Sequence, residues 1–214
     1  MKNQKHIVYC SYDGLLDPLG RSQILPYLEG LNTNSEYQFT IISFEKIDAH
    51  IELKKSLTLK NIHWLPLIYT KKPLILSTIW DIFKLYKTIS KVFKNKEINL
   101  IHSISYITSL VALHFKKKYK IPFIFDMRGF YADERVDGKL WNKNKFPYNK
   151  IYNFFKQKEK AFLQCADYTI SLTDNGKKEI ESWKLPNQSP IKIIPCCTDE
   201  NLFQTKNISD KRED

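Results

Sequence analysis

The sequence of 214 residues lacks the signals of several protein classes. It has no apolar run near the roughly 20 residues that a membrane-spanning helix needs, and its N-terminal apolar run is too short for a signal-peptide core. Its four cysteines form no CxxC pair and have no histidine at zinc-ligand spacing, which argues against zinc sites and disulfide frameworks. These absences predict a cytoplasmic protein with reduced thiols.

Glycine is also scarce, at 6 residues, and the glycine-rich phosphate-binding motifs are missing. Neither GxGxxG nor GxxxxGK[ST] occurs, so dinucleotide binding and P-loop chemistry have no motif support. What the chain does have is apolar material: 43% hydrophobic and 14% aromatic residues. This composition predicts a globular protein with one sizeable core.

Basic residues dominate the charge. Lysine and arginine number 34 against 23 acidic residues, a net charge of +11, which favours phosphates, anionic lipid headgroups or nucleic acid as partners. The sequence has no recognition-helix signature, zinc finger or RNP-like strand, so nucleic acid is not an expected partner. Most of the basic residues are lysines, and a solvated lysine face is the ordinary interpretation.

Short apolar segments alternate with segments of helical period, which is the pattern of βα units around a mostly parallel sheet. The predicted strands are 6–10, 37–43, 61–67, 99–103, 122–126, 168–172 and 191–194. The predicted helices are 21–31, 76–94, 106–119, 148–165 and 174–183. We therefore expect one doubly wound α/β domain of about seven strands over residues 1–203, with helices on both faces. A polar tail or interdomain linker is expected at 204–214.

The segment 76–94 is the most amphipathic in the chain. Its apolar residues at helical spacing are Ile75, Ile79, Ile82, Phe83, Tyr86, Ile89 and Phe93, and lysines occupy the opposite side. Two interpretations remain open: an apolar face packed on the sheet, or an interfacial helix in contact with an anionic membrane.

In an open parallel sheet, ligands bind in the crevice outside the carboxyl ends of the strands, so the loops that leave those ends are candidate sites. The loop 10–23 combines Gly14 and Gly20 with a helix start that suits a phosphate, although an ordinary turn is the alternative. His102 ends a predicted strand, where it would either hydrogen-bond a substrate oxygen or be packed as a core histidine.

The third such loop follows the strand 122–126 and reads FDMRGFYADERVDG over residues 125–138. Its six charged residues, three aromatics and two glycines are expected to form an irregular segment, neither helix nor strand. Carboxylates and arginines at such close spacing can neutralise one another in a cleft. The segment is therefore predicted to carry half-buried charges at the site, Asp126 and Arg128 foremost.

Four motifs together resemble the N-terminal half of family-4 glycosyltransferases. They are DGLLDPLGRSQ at 13–23, the 125–138 segment, ADYTISLT at 166–173 and IIPCCTDENLF at 193–203. The resemblance runs over about 6–203 and implies a GT-B enzyme. Such enzymes have two Rossmann-like domains facing across a cleft, and transfer a sugar from a nucleotide donor with retention of configuration, without a metal or other cofactor.

The resemblance also implies roles for individual residues. The loop with Gly14, Gly20 and Arg21 would face the donor diphosphate, and His102 would be the catalytic-site residue next to the transferred sugar. The acceptor side of the cleft would be lined by Asp126, Arg128, Glu134 and Arg135.

By the same resemblance, the partners are a nucleotide-sugar donor and a sugar or lipid-linked acceptor, in bacterial surface polysaccharide synthesis. The nucleotide-sugar domain is expected to lie outside this sequence. Since that domain stabilises the leaving diphosphate, we expect this chain alone to be inactive. The alternative is a non-catalytic or split-enzyme binding module that pairs with a separate donor domain.

Overall fold

The computed structural model describes residues 4–33, 36–46 and 51–197. Seven strands form one parallel sheet in the order β3-β2-β1-β4-β5-β6-β7. The strands are β1 Lys5–Ser11, β2 Tyr37–Glu45, β3 Ile62–Ile68, β4 Leu100–Ile104, β5 Phe123–Asp126, β6 Tyr168–Ser171 and β7 Ile191–Ile193. All seven strand predictions are confirmed. The predicted tail at 204–214 lies outside the described residues.

The helices are α1 Leu25–Asn32, α2 Ile51–Leu59, α3 Leu74–Asn95, α4 Ser105–Tyr119, α5 Tyr131–Asp137, α6 Tyr148–Cys165 and α7 Asp174–Ser182. A π-helical turn at Gly20–Ile24 precedes α1. The five predicted helices are confirmed, and α2 and α5 were not predicted. The expectation that 125–138 contains no helix is wrong, because Tyr131–Asp137 forms two turns closed by a hydrogen bond from the Gly138 amide to the Glu134 carbonyl oxygen.

Both faces of the sheet are covered, as expected for a doubly wound domain. Successive residues of β1 point to opposite sides: Val8 and Cys10 pack into the cluster that includes α3, α4, α6 and α7, and Ile7 and Tyr9 into the one that includes α1 and α2. The strand order reverses between β1 and β4, since β1 continues to β2 and β3 on one side and β4 to β7 follow on the other. That reversal opens a crevice at the carboxyl ends of β1 and β4.

The longest helix, α3, buries part of the apolar stripe that the sequence predicted: Ile89 is buried, and Ile82, Tyr86 and Phe93 pack against the core. Its buried side chains recur every four residues, at Ser77, Asp81, Leu85 and Ile89. Ile75, Ile79 and Phe83 of the predicted apolar face are exposed instead, together with Leu76 and Trp80. The first half of the buried stripe was misassigned because its buried residues, Ser77 and Asp81, are polar. None of the described helices combines the length and the apolar character that crossing a bilayer requires.

Candidate functional site

The loop between β1 and the first helical turn is hydrogen-bonded to Glu45, the last residue of β2. Glu45 is buried, and its carboxylate accepts hydrogen bonds from the backbone amides of Leu15 at 2.8 Å and Leu16 at 3.2 Å. The Ser43 hydroxyl donates to the same carboxylate at 2.6 Å. The carboxylate therefore satisfies two backbone amides of the loop that is predicted to bind a phosphate.

The two glycines of this loop are required by close packing. A Cβ on Gly20 would lie 2.1 Å from the Gly14 carbonyl oxygen, and one on Gly14 would lie 2.6 Å from a Glu45 carboxylate oxygen. Arg21 is exposed at the start of the π-helical turn. Of the three predicted donor-phosphate residues, Arg21 is therefore exposed to solvent, whereas Gly14 and Gly20 are buried.

The pairing of β1, β4 and β5 brings three polar side chains together at the carboxyl edge. His102 lies opposite Tyr9 in the ladder, with their ring centroids 4.6 Å apart. Its Nε2 lies 3.3 Å from an Asp126 carboxylate oxygen. Only 6% of the Asp126 side chain is exposed, against 18% of His102. His102 and Asp126, predicted to belong to one site, are therefore in contact.

Arg128 completes this group, which we call the edge triad: His102, Asp126 and Arg128. The Arg128 Nε lies 3.1 Å from Asp126 Oδ1, close enough for an ion pair. The two atoms are not aligned for a hydrogen bond, and within the described part of the chain neither has another partner. Arg128 also has a positive φ of 61°, a conformation that costs free energy in non-glycine residues and clusters at functional sites. A buried carboxylate and guanidinium with unused bonding capacity suit a polar ligand.

Electrostatics around the edge triad fix the protonation state of its neighbour Tyr9. Burial first, and then the Asp126 carboxylate, raises the pKa of Tyr9, so the phenol stays protonated and is a hydrogen-bond donor. For Arg128, burial acts to lower the pKa, but Asp126 and Tyr9 oppose it and the net shift is upward. The guanidinium is therefore charged at every physiological pH.

A cleft of 280 Å³ opens beside the edge triad, and we call it the edge cleft. Its walls come from the loops after five strands: Asp13, Leu19, Gln23, Ile24, Ile104, Ser105, Arg128, Leu172 and Cys196. Gln23 accepts a hydrogen bond from Arg128 at 3.1 Å and another from the Cys196 thiol at 3.1 Å. Tyr9, Gln23 and Cys196 were not predicted as site residues, because their contacts span more than 90 residues of sequence.

The two other predicted acceptor residues lie on α5 and point to different surfaces. Glu134 reaches back towards Gly129, where its carboxylate oxygen would lie 1.9 Å from a Cβ on that glycine. It lines a separate open cleft with Asp133 and Asp137. Arg135 lies over the Tyr131 ring, 4.9 Å from its centroid, and lines an apolar groove. Neither borders the edge cleft, so the structure does not place Glu134 and Arg135 with Asp126 and Arg128 in one pocket.

Metal ligation has no obvious place in this arrangement. Across residues 4–33, 36–46 and 51–197, no cluster of three or more histidine, cysteine or acidic side chains has the arrangement to hold an ion. The chemistry of the edge cleft rests on hydrogen bonding and on the charges of Asp126 and Arg128.

An all-parallel doubly wound sheet with polar loops at its carboxyl edge is the Rossmann-like N-terminal domain of a GT-B glycosyltransferase fold. The family model described as Glycosyltransferase Family 4 matches residues 34–202, which is more than half of the sequence. The chain belongs to Glycosyltransferase Family 4, as its motifs predicted. No curated protein matches it in sequence.

Solved structures share the fold at low sequence identity. Sucrose-phosphate synthase from Thermosynechococcus elongatus matches with a TM-score of 0.66 at 12% identity, over 93% of this chain and 50% of that one. Phytolacca americana UGT2 complexed with UDP-2-fluoro-glucose and pterostilbene matches with a TM-score of 0.61 at 9% identity, over 92% and 56%. UDP-GlcNAc 2-epimerase from Neisseria meningitidis, bound to UDP-GlcNAc, matches with a TM-score of 0.54 at 12% identity, over 88% and 46%. This chain therefore spans about half the length of the structures it resembles.

Proposed function

We propose that this chain is the acceptor-binding half of a retaining, metal-independent glycosyltransferase of hexosyltransferase type. The donor is a nucleotide sugar, the acceptor is a sugar or a lipid-linked sugar, and the pathway is bacterial surface polysaccharide synthesis. The observation that carries the proposal is the Asp126–Arg128 ion pair at the carboxyl edge of a family-4 GT-B domain, with Arg128 lining the edge cleft.

Each member of the edge triad has a role that its geometry permits. The Asp126 carboxylate accepts a hydrogen bond from a sugar hydroxyl, and the Arg128 guanidinium donates to a neighbouring oxygen. His102, oriented by Asp126, contacts the sugar that is transferred. Enclosure of these charges in a half-buried site strengthens each interaction relative to bulk water.

The donor diphosphate approaches from the side of Gly14, Gly20 and Arg21. Because Glu45 already occupies the amides of Leu15 and Leu16, the phosphate contact falls to the π-helical turn that starts at Gly20, and to the Arg21 guanidinium. The remaining donor contacts belong to a second domain, since the matched structures are about twice as long as this chain. In this account the chain without a donor domain does not turn over.

The protein is proposed to act in the cytoplasm, at the inner face of the plasma membrane. The exposed apolar side chains of α3, which include Leu76, Trp80 and Phe83, are followed one to two turns later by the exposed Lys87 and Lys91. This combination of apolar surface and lysines suits peripheral contact with anionic lipids. Flotation with vesicles of anionic lipid at low salt tests this point, and a protein that stays at the bottom of the gradient contradicts it.

The experiment on the site uses the product of the native gene and radiolabelled nucleotide sugars, with a membrane extract as acceptor pool. Asp126→Asn and His102→Ala are each expected to lower kcat/KM for transfer by roughly 10²-fold or more, since each removes a polar group aimed at the reacting sugars. Glu181→Gln and His63→Ala alter exposed residues away from the edge cleft and serve as matched controls. Full activity of Asp126→Asn with an unchanged Tm would remove the edge triad from the mechanism.

The alternative of a separate binding module is distinguished in the same assay. A native gene product that transfers no sugar until a second polypeptide is added would show a split enzyme. No transfer with any donor or partner fraction would leave a non-catalytic binding module.

A further inference from the structure

A second and larger concavity, the apolar groove, lies between α3, α4 and the α5–α6 segment and has a volume of 780 Å³. Its lining residues include Ile75, Ile79, Tyr131, Arg135, Trp141 and Lys150. Its size is within the range of small-molecule sites, about 300–1,000 Å³. On α3, the exposed Ile75 and Ile79 line the groove, while the buried stripe lies elsewhere on the helix.

The walls of the groove are preformed by packed aromatic rings. Trp141 meets Tyr131 edge-on with ring centroids 5.7 Å apart, and stacks on Phe155 at 5.9 Å. Tyr131 in turn contacts Phe155 at 5.0 Å. On the facing side, Ile75 and Ile79 of α3 are exposed. A rigid aromatic wall opposite exposed aliphatic side chains suits an aliphatic chain, because its burial removes apolar surface of both partners from water.

Charge at the groove has one sign only. Arg135 and Lys150 line it, and no carboxylate does so within the part of the chain that the structure describes. The Arg135 guanidinium is held over the Tyr131 ring, so its donors are positioned at the wall rather than swinging in solvent. An occupant with an anionic end, phosphate above all, complements these two cations.

The groove and the edge cleft are lined by adjacent residues of the β1 loop. Tyr12, next to the edge-cleft residue Asp13 in the β1 loop, lines the groove. Burial raises the pKa of Asp13, and Arg135 is close enough to act against that shift, together with Lys46 and Arg128. Arg135 therefore lines the groove and also acts electrostatically on Asp13, a residue of the edge cleft. This position is compatible with the predicted acceptor-side role of Arg135, although Arg135 does not border the edge cleft.

We propose that the acceptor is a lipid phosphate whose aliphatic chain lies in the apolar groove and whose phosphate is bound by Arg135 and Lys150. The group that receives the sugar then extends into the edge cleft. This inference rests on the proposed function and narrows its acceptor from any sugar to an amphiphile with a phosphate-linked chain.

The test is binding in solution without donor, so that it does not depend on transfer. The probe is 12-bromododecyl phosphate below its micelle concentration, because bromine quenches a tryptophan that it contacts. A Trp80→Phe/Trp183→Phe background removes the exposed tryptophan of α3 and the partly exposed tryptophan after α7, while Trp64 is fully buried, so quenching reports on Trp141. Saturable quenching is expected, and dodecyltrimethylammonium bromide is expected not to compete.

Two variants locate the site. Ile79→Asp places a carboxylate against the chain and the phosphate, and should raise the Kd for the probe at least about 10-fold. Leu59→Asp is the matched control, since Leu59 is 89% exposed on α2 and Ile79 is 56% exposed on α3, so neither substitution disturbs the core. Arg135→Gln should weaken the phosphate probe about 10-fold and leave the affinity for dodecanol unchanged.

The inference is overturned if the probe does not bind, if Ile79→Asp binds it as tightly as Leu59→Asp, or if the cationic amphiphile competes equally. If the probe does not bind but the native gene product transfers sugar to another acceptor, the proposed transferase function is supported and the lipid-phosphate site is not. Binding of the probe without any sugar transfer by the native gene product would support a lipid-phosphate site in the groove and contradict the proposed transferase function.

Discussion

Replacement of Glu45 tests how the site loop is held. Its carboxylate is 1% exposed and accepts hydrogen bonds from the amides of Leu15 and Leu16 and from the hydroxyl of Ser43. Ser43 also accepts a hydrogen bond from the indole of Trp64 at 2.8 Å, so the network extends to this buried residue of β3. A carboxylate at the end of an apolar strand would be costly if unpaired, and here three donors compensate its burial.

The magnitude follows from the groups left without a partner. In Glu45→Ala, two largely buried backbone amides lose their acceptor, at about 1–3 kcal/mol each, while the Ser43 hydroxyl can rotate to a new partner. We therefore expect the free energy of unfolding to fall by about 3–5 kcal/mol. Glu45→Gln keeps the shape but replaces one acceptor oxygen by an NH₂ group, and should cost about 1–3 kcal/mol.

Urea denaturation followed by circular dichroism measures both values, with m compared between variants to check that the same surface is exposed. Glu52→Ala removes an exposed carboxylate from α2 and should change stability by no more than about 0.5 kcal/mol. A loss below about 1 kcal/mol for Glu45→Ala would refute the reasoning, because the amides would then have satisfied themselves elsewhere.

Two further predictions concern pH and helix capping. Burial lowers the pKa of His6 in the folded protein below 6.5, its value in the unfolded chain. The unfolded chain therefore binds more protons, and the free energy of unfolding should fall as the pH decreases from 6.5 towards the lowered folded pKa. His6→Gln should flatten this dependence. Thr173 accepts a hydrogen bond from the Gly176 amide at the start of α7, so Thr173→Ala should cost about 1 kcal/mol and Thr173→Ser much less.

Unfolding at several pH values checks the first of these, and identical slopes for wild type and His6→Gln would show that His6 does not drive the pH dependence. Urea midpoints check the second. Equal midpoints for the alanine and serine variants would mean that the cap contributes nothing measurable to α7.

The sheet was predictable because every strand is a short apolar run bounded by polar residues. The helices α2 and α5 were not, since each buries very little: Leu57 is the buried residue of α2, and Ala132 that of α5. With so small a buried face, neither segment shows a helical period in its hydrophobic pattern. Local contacts such as the closing hydrogen bond of α5 decide the conformation there.

The candidate site was predictable in part for a similar reason. His102 lies in β4, Asp126 ends β5 and Arg128 follows it; the two strands are neighbours in the sheet, and the carboxyl ends of such strands converge. Glu45 carried the same signal, a charged residue at the carboxyl end of an apolar strand, and was overlooked. Gln23 and Cys196 carried none, because a contact between positions 173 residues apart is set by the tertiary fold.

The most direct test of the central claim is the stereochemistry of transfer by the native gene product. UDP-glucose and UDP-N-acetylglucosamine, labelled in the sugar and α-linked, are incubated with a membrane lipid extract, and the product is digested with α- or β-specific glycosidases. The account predicts labelled lipid that only an α-glycosidase releases, and loss of that label in Asp126→Asn. Release by a β-glycosidase, or label unaffected by Asp126→Asn, would contradict it.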